Sequence, residues 1–196
     1  MSFVMETTED VGGASDQYLS EPGTYHCVIT SMAEGEGPKG SPIDGFTVGL
    51  AVLNGTVGGQ NDKQINLCLF SPDKSKDDKS QEWARKKQTA FVIAAGLLNL
   101  SDLGKKVNID LSHAVGRQIV LTFENNEYNG QTQLRLAWAN IYHVDDPRVA
   151  KIPKDKEALG IIPSGQRRTA DYFAPLMKKS DKKPESRLSQ DELSDL

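Results

Sequence analysis

Cysteine is scarce. Cys27 and Cys68 are the only two among 196 residues. Each falls inside an expected strand and they lie far apart in sequence, so a disulfide framework is not indicated and two buried free thiols in a reducing compartment are expected. The three histidines, His26, His113 and His143, are scattered, no C-x-x-C pair occurs, and neither cysteine has a histidine at ligand spacing. No metal site is expected. Long apolar runs are also missing: no window approaches the roughly 18 consecutive apolar residues of a membrane helix. The N-terminal residues Met1 to Glu6 lack the basic stretch and apolar run of a secretion signal. The expected location is cytoplasmic, away from membranes.

A basic excess is lacking too. The formal net charge is −4, which lowers the prior for a nucleic-acid binder without excluding a local cationic groove. The charge is unevenly spread, at −5 over residues 1–22, −1 over 23–150 and +2 over 151–196. Catalytic signatures are absent. The acidic doublets Asp77-Asp78 and Asp145-Asp146 flank a charged loop and a proline turn, and no nucleophile stands beside a base, so an enzyme is not expected. Gly35, Gly37 and Gly40 spell a dinucleotide-type G-x-G-x-x-G, but Pro42 and a strand follow where a helix N-terminus would have to hold the pyrophosphate. No cofactor is expected.

What is present is alternation. In residues 116–142, Ile119, Leu121 and Phe123 alternate with other residues, and after Asn129-Gly130 so do Leu134, Leu136 and Trp138. Two strands and a hairpin are the reading, with the loop open to being longer than two residues. Upstream, Thr24 to Met32, Phe46 to Leu53 and Lys63 to Phe70 read as three strands, with Tyr25, Cys27 and Ile29, then Phe46, Val48, Leu50 and Val52, then Ile65, Leu67 and Leu69 inward. A helix is expected from about Ser80 to Leu98, capped by Asp77 or Ser80, with a stripe running from Trp83 and Lys87 through Ala90 or Phe91 and Ala94 to Leu97 or Leu98. Trp83 and Trp138 are both expected in the core. A short helical turn is expected at Ser101 to Leu103 and an extended piece at Val107 to Leu111. Residues 1–20 read as a disordered acidic arm that ends by docking Tyr18 and Leu19, residues 21–148 as the domain, and residues 149–196 as a flexible, proline-punctuated tail.

Three strands, a helix and two strands is the element order of the five-stranded oligonucleotide/oligosaccharide-binding barrel, giving a mainly β fold class with disordered tails. The chain resembles that OB-fold family, and within it small phage-encoded single-stranded-DNA-binding proteins. The resemblance is carried by Gly23 to Met32, the Gly37-Pro38-Lys39-Gly40 loop, the helix around Trp83, and Gly116-Arg117 leading to Asn129-Gly130 and the strand from Leu134 to Trp138. It covers roughly residues 20–148. It implies sequence-tolerant binding of single-stranded DNA in phage-type replication or recombination. It also implies a C-terminal tip, here Gln190 to Leu196, with three acids and no base, that recruits replication or recombination proteins; the tip lacks the proline and aromatic ending of the bacterial version.

A single-strand groove needs cations for the backbone and aromatics for stacking. The candidates are Lys39 at a loop tip, Lys63 opening the third strand, Phe70 out of phase with Ile65, Leu67 and Leu69, Arg117 at the hairpin base, Tyr128 at its tip, and Arg135 out of phase with Leu134 and Leu136. The competing reading is a protein-interaction or assembly module on the same scaffold with no nucleic-acid ligand. In it the segment Arg167 to Phe173, which mixes bases with aromatics, would order on a partner. Exposed strand edges leave homo-oligomers open.

Overall fold

The computed structural model describes residues 17–37 and 40–180, with side chains for all of these except 138, 139 and 178–180. The strands are β1 (Gly23–Glu36), β2 (Pro42–Gly55), β3 (Gln64–Phe70), β4 (Gln118–Tyr128) and β5 (Gln131–His143); the helices are α1 (Asp78–Ala94), α2 (Lys156–Gly160) and α3 (Ala170–Ser180). The strands form one sheet in the order β3-β2-β1-β4-β5, every neighbouring pair antiparallel.

The expected inward sets hold. Tyr25, Cys27 and Ile29 of β1, Phe46, Val48, Leu50 and Val52 of β2, Ile65 and Leu69 of β3, and Ile119, Leu121 and Phe123 of β4 share one core with Phe91, Val92 and Ala94 of α1. One core fed from the same face of every strand requires the sheet to curl. β3 and β5 remain its two edges. The closed five-stranded barrel is therefore corrected to an open, curled sheet. α1 packs against both edge strands, mostly β5, and Phe91 meets Phe46 with ring centroids 5.7 Å apart.

The hairpin turns on two residues. Asn129 and Gly130 have φ of 51° and 74°, and Tyr128 pairs with Gln131 across them. Both central residues at positive φ match the right-handed twist of the flanking strands. Deeper in the hairpin, Leu121 pairs with Ile141 but Phe123 pairs with Leu136, so β5 bulges over 137–140. The bulge moves the inward set of β5 from Leu136 to Ile141. The simple alternation read through Trp138 breaks there. Of the other expected pieces, Leu100–Asp102 forms a 3-10 turn and a second one spans Leu111–Ala114. The stretch expected to be extended at Val107 to Leu111 joins no ladder among the described residues.

Tyr18 and Leu19 dock as expected: Tyr18 bridges Gln64, and the Leu19 amide donates to the Gln64 carbonyl at 3.0 Å. Residues 1–16 and 181–196 lie outside the described residues, and with them most of the arm and the acidic tip. The tail expected from residue 149 needs correction. Residues 149–162 lie on the outer face of β4, where Val120, Val144 and Val149 form a second apolar cluster with Tyr142, Ile152, Leu159 and Ile162, and the chain then turns to the α1 side, where Phe173 and Leu176 sit beside Ala90 and Ile93. Phe173 is fully buried, 5.5 Å from the His143 ring. Arg167 to Phe173 is thus ordered on its own domain: Tyr172 donates to the Leu98 carbonyl at 2.8 Å, and the Arg168 amide donates to Asp145 at 2.9 Å.

Buried polar groups fix this docking. His26 Nδ1 accepts the Asp155 amide at 3.1 Å, so its Nε2 is the donor to Gln118 Oε1 at 2.9 Å. Gln118 Nε2 donates to the Ala158 carbonyl, and Gln118 and Gln166 exchange side-chain to backbone bonds. His143 repeats the scheme, accepting the Asp145 amide at Nδ1 and donating from Nε2 to the Gln166 carbonyl at 2.7 Å. Both rings are held neutral, and burial pulls both pKa values below the usual 6.5. Lys154 and Arg168 push the same way, against Asp145, Asp146 and Asp155.

Two outcomes follow from this packing. Phe173→Ala is expected to cost about 3–5 kcal/mol in denaturant unfolding, whereas a loose tail would leave stability unchanged. A histidine with a lowered folded-state pKa confers stability that is complete above the unfolded value and declines as pH falls from about 6.5 toward the folded value. The thermal midpoint is therefore expected to drop between about pH 7 and pH 5, with amide exchange over 155–173 rising before that of the β1–β2 ladder. A flat profile would contradict the neutral-ring scheme.

Candidate functional site

The open seam between the sheet edges is where exposed aromatic and cationic side chains meet. A cleft of about 410 Å³ is lined by Cys68 and Phe70 of β3, Ser80, Trp83, Ala84 and Lys87 of α1, and Arg135 of β5. Among the described residues no acid lines it. Local sequence builds each wall. β3 ends at Phe70, whose carbonyl accepts Gln88 Nε2 at 3.2 Å, while the Ser71 amide donates to the Asp44 carbonyl at 2.8 Å. Opposite Phe70 in register is Gly45, at φ 144°; a Cβ there would run into the Leu69 carbonyl. Only glycine lets the two backbones approach so closely. α1 starts where the Asp77 side chain accepts the Ser80 amide and hydroxyl at 2.8 and 2.9 Å, and the i,i+4 spacing puts Trp83 and Lys87 on one helical face.

Phe70 is 57% exposed and Trp83 37%. Leaving two large rings partly in water forgoes apolar burial worth about 1.5–3 kcal/mol for a fully buried side chain. That placement suits a ligand surface better than a core. Lys87 and Arg135 make no hydrogen bond or ion pair with any described residue. Burial, and after it the positive charge of Arg135, lowers the Lys87 pKa. Glu124 stands opposite Arg135 in register but forms no ion pair with it. Cys68 sits beside Thr47, Sγ to Oγ1 3.7 Å, while Cys27 is buried and its thiol pKa is pushed up by desolvation.

Of the six expected site residues, the cleft unites two, Phe70 and Arg135. Tyr128 is 62% exposed at the hairpin tip. It shares a face of the ribbon with Arg135 through the pairs Tyr128↔Gln131 and Glu124↔Arg135, at roughly 13 Å for four residues of strand. Lys63 precedes the opposite end of β3, roughly 20 Å from Phe70 along the strand, where its carbonyl accepts the Val52 amide at 2.9 Å. Lys39 lies outside the described residues.

Arg117 is a correction. Its guanidinium donates to the carbonyls of His113, Ala95 and Gly96 at 2.8, 2.9 and 3.1 Å. Arg168 adds a bond to Gly96 at 3.2 Å. α1 has no base in its own last turn, and these two arginines satisfy its terminal carbonyls and oppose its negative end. Trp83 is a second correction, since it lines the cleft instead of the core; the Trp138 side chain lies outside the described ones. Sequence reasoning missed Lys87 as a site residue by counting it in the apolar stripe. A lysine within such a stripe, one turn from a tryptophan, was the available signal.

No protein-family model matches the chain, and no curated protein does either. What the protein does has to be read from the cleft. Among the described residues no group of three or more His, Cys, Asp or Glu could hold a metal ion, and no helix is long and apolar enough to cross a membrane.

Arg117→Ala is expected to lower stability by about 1.5–3 kcal/mol, since it removes charged bonds to carbonyls. Exposed Arg135→Ala is expected to stay within about 0.5 kcal/mol of wild type. Equal effects on denaturant midpoints would overturn the assignment of one arginine to structure and the other to the site.

Proposed function

We propose that the protein binds single-stranded DNA with little sequence preference, using the cleft at the β3–β5 seam, and that it acts in phage-type replication or recombination. One observation carries this: two exposed rings, Phe70 and Trp83, and two cations with no ion-pair partner among the described residues, Lys87 and Arg135, line a single cleft that has no acid among its described lining residues. Rings supply stacking that every base accepts, worth about 1–3 kcal/mol per base, and cations supply the backbone attraction. Duplex DNA offers neither splayed bases nor a profile that enters such a cleft. The sheet order with α1 between β3 and β4 supports an OB-like arrangement whose last ladder is replaced by helix packing. In this reading no bond is made or broken, and the acidic C-terminal tip recruits replication or recombination proteins.

The test is a titration of dye-labelled oligo-dT across a salt series with duplex as control. Affinity is expected to fall as salt rises, with a log–log slope of about −0.7 per neutralised phosphate. Arg135→Ala should flatten the slope by about that increment. Absence of binding at low salt, or equal binding of duplex, would overturn the proposal.

A further inference from the structure

The cleft is small for a strand. At about 410 Å³ it falls near the low end of the roughly 300–1,000 Å³ typical of ligand pockets, a size that suits one nucleotide. Its chemistry is divided to match. Phe70 comes from the end of β3 and Trp83 from the first turns of α1, so the rings rise from different walls. Lys87 and Arg135 come from α1 and β5 and lie close enough for the charge of Arg135 to depress the ionisation of Lys87. An anion placed between them relieves that repulsion and satisfies both.

Building on the single-strand reading above, we infer that this cleft is a one-nucleotide site. It takes one unpaired base against Phe70 and Trp83 and that nucleotide's phosphate between Lys87 and Arg135. The remaining chemistry agrees. β3 and β5 are edge strands, and backbone groups along an edge that are not in a ladder can bond any base edge. That makes the recognition tolerant of sequence, unlike a pocket built from Asn, Gln or Glu side chains. The neighbouring nucleotides of a strand would have to lie outside the cleft. The exposed face of the β4–β5 ribbon, with Gln131, Gln133 and Tyr128 leading away from Arg135, is the surface that continues from it.

The same chemistry would be presented by one residue of a DNA strand or by a free mononucleotide, and two arms of one experiment separate them. In the first, dTMP is titrated against intrinsic tryptophan emission, with inorganic phosphate as a control, for wild type, Trp83→Phe, Phe70→Ala and Arg135→Ala. In the second, dye-labelled oligo-dT is titrated by anisotropy against the same proteins.

The expected result is saturable quenching by dTMP that is absent in Trp83→Phe. Its half-saturation should rise about fivefold or more in Phe70→Ala and Arg135→Ala, with parallel weakening of oligomer binding. Oligomer binding without dTMP quenching would overturn the one-nucleotide site and leave the single-strand reading intact. Quenching by dTMP without oligomer binding would keep the site, make a free mononucleotide its ligand and overturn the single-strand reading. Failure of both arms would remove both. Circular dichroism of each variant separates loss of fold from loss of ligand, and Trp83→Phe, a partly exposed ring replaced by a ring, is the variant least able to disturb the core.

Discussion

Helix α1 sits where the sheet stops. The backbone groups of β3 and β5 form no ladder with each other, and the apolar face of α1, Phe91, Val92 and Ala94, covers the core that the gap would otherwise open to water. Hydrogen bonds along a closing ladder would have filled the seam with backbone. Helix packing leaves a cleft instead, and the first turns of α1 project Trp83 and Lys87 into it beside Phe70 and Arg135. The position of α1 therefore decides both the integrity of the core and the existence of a site. Its two ends are held accordingly, Asp77 accepting the Ser80 amide and Arg117 with Arg168 donating to the last carbonyls.

The C-terminal segment makes that anchoring possible. Residues 149–162 cross the outer face of β4, and the chain, tied by Gln118 and Gln166 to two neutral histidines, then turns to α1 and delivers Arg168 and Tyr172 to the carbonyls of Gly96 and Leu98. β4 is consequently buried on both faces, Ile119 and Leu121 toward one core and Val120 toward the other. Burying Gln118, His26, His143 and Gln166 is tolerable because no buried side-chain polar atom among the described residues lacks a partner.

Much of the sheet was legible because its strands obey a period of two, and the inward residues of β1, β2 and β4 follow that period directly. The β5 bulge was not, because a local insertion leaves no mark on alternation until the pairing partner is known. The C-terminal segment was hidden by composition. Prolines and lysines suggest a loose tail, while the apolar residues that dock, Val149, Ile152, Leu159, Ile162 and Phe173, are spaced by loops and short helices without a regular period. Phe70 and Arg135 were readable as outward residues of their strands. That they meet, and that Trp83 and Lys87 join them, depends on how the sheet curls, which no local pattern encodes. Arg117 misled because a base at the foot of a hairpin looks the same whether its guanidinium faces a ligand or a helix end.

The most direct measurement of the central claim is backbone amide exchange with and without oligo-dT. Slowed exchange at the end of β3, in the first turns of α1 and around Arg135 of β5, with the outer face of β4 and residues 149–177 unchanged, is the predicted result. Protection confined to the C-terminal segment or to the β1–β2 loop, with the seam unaffected, would contradict it.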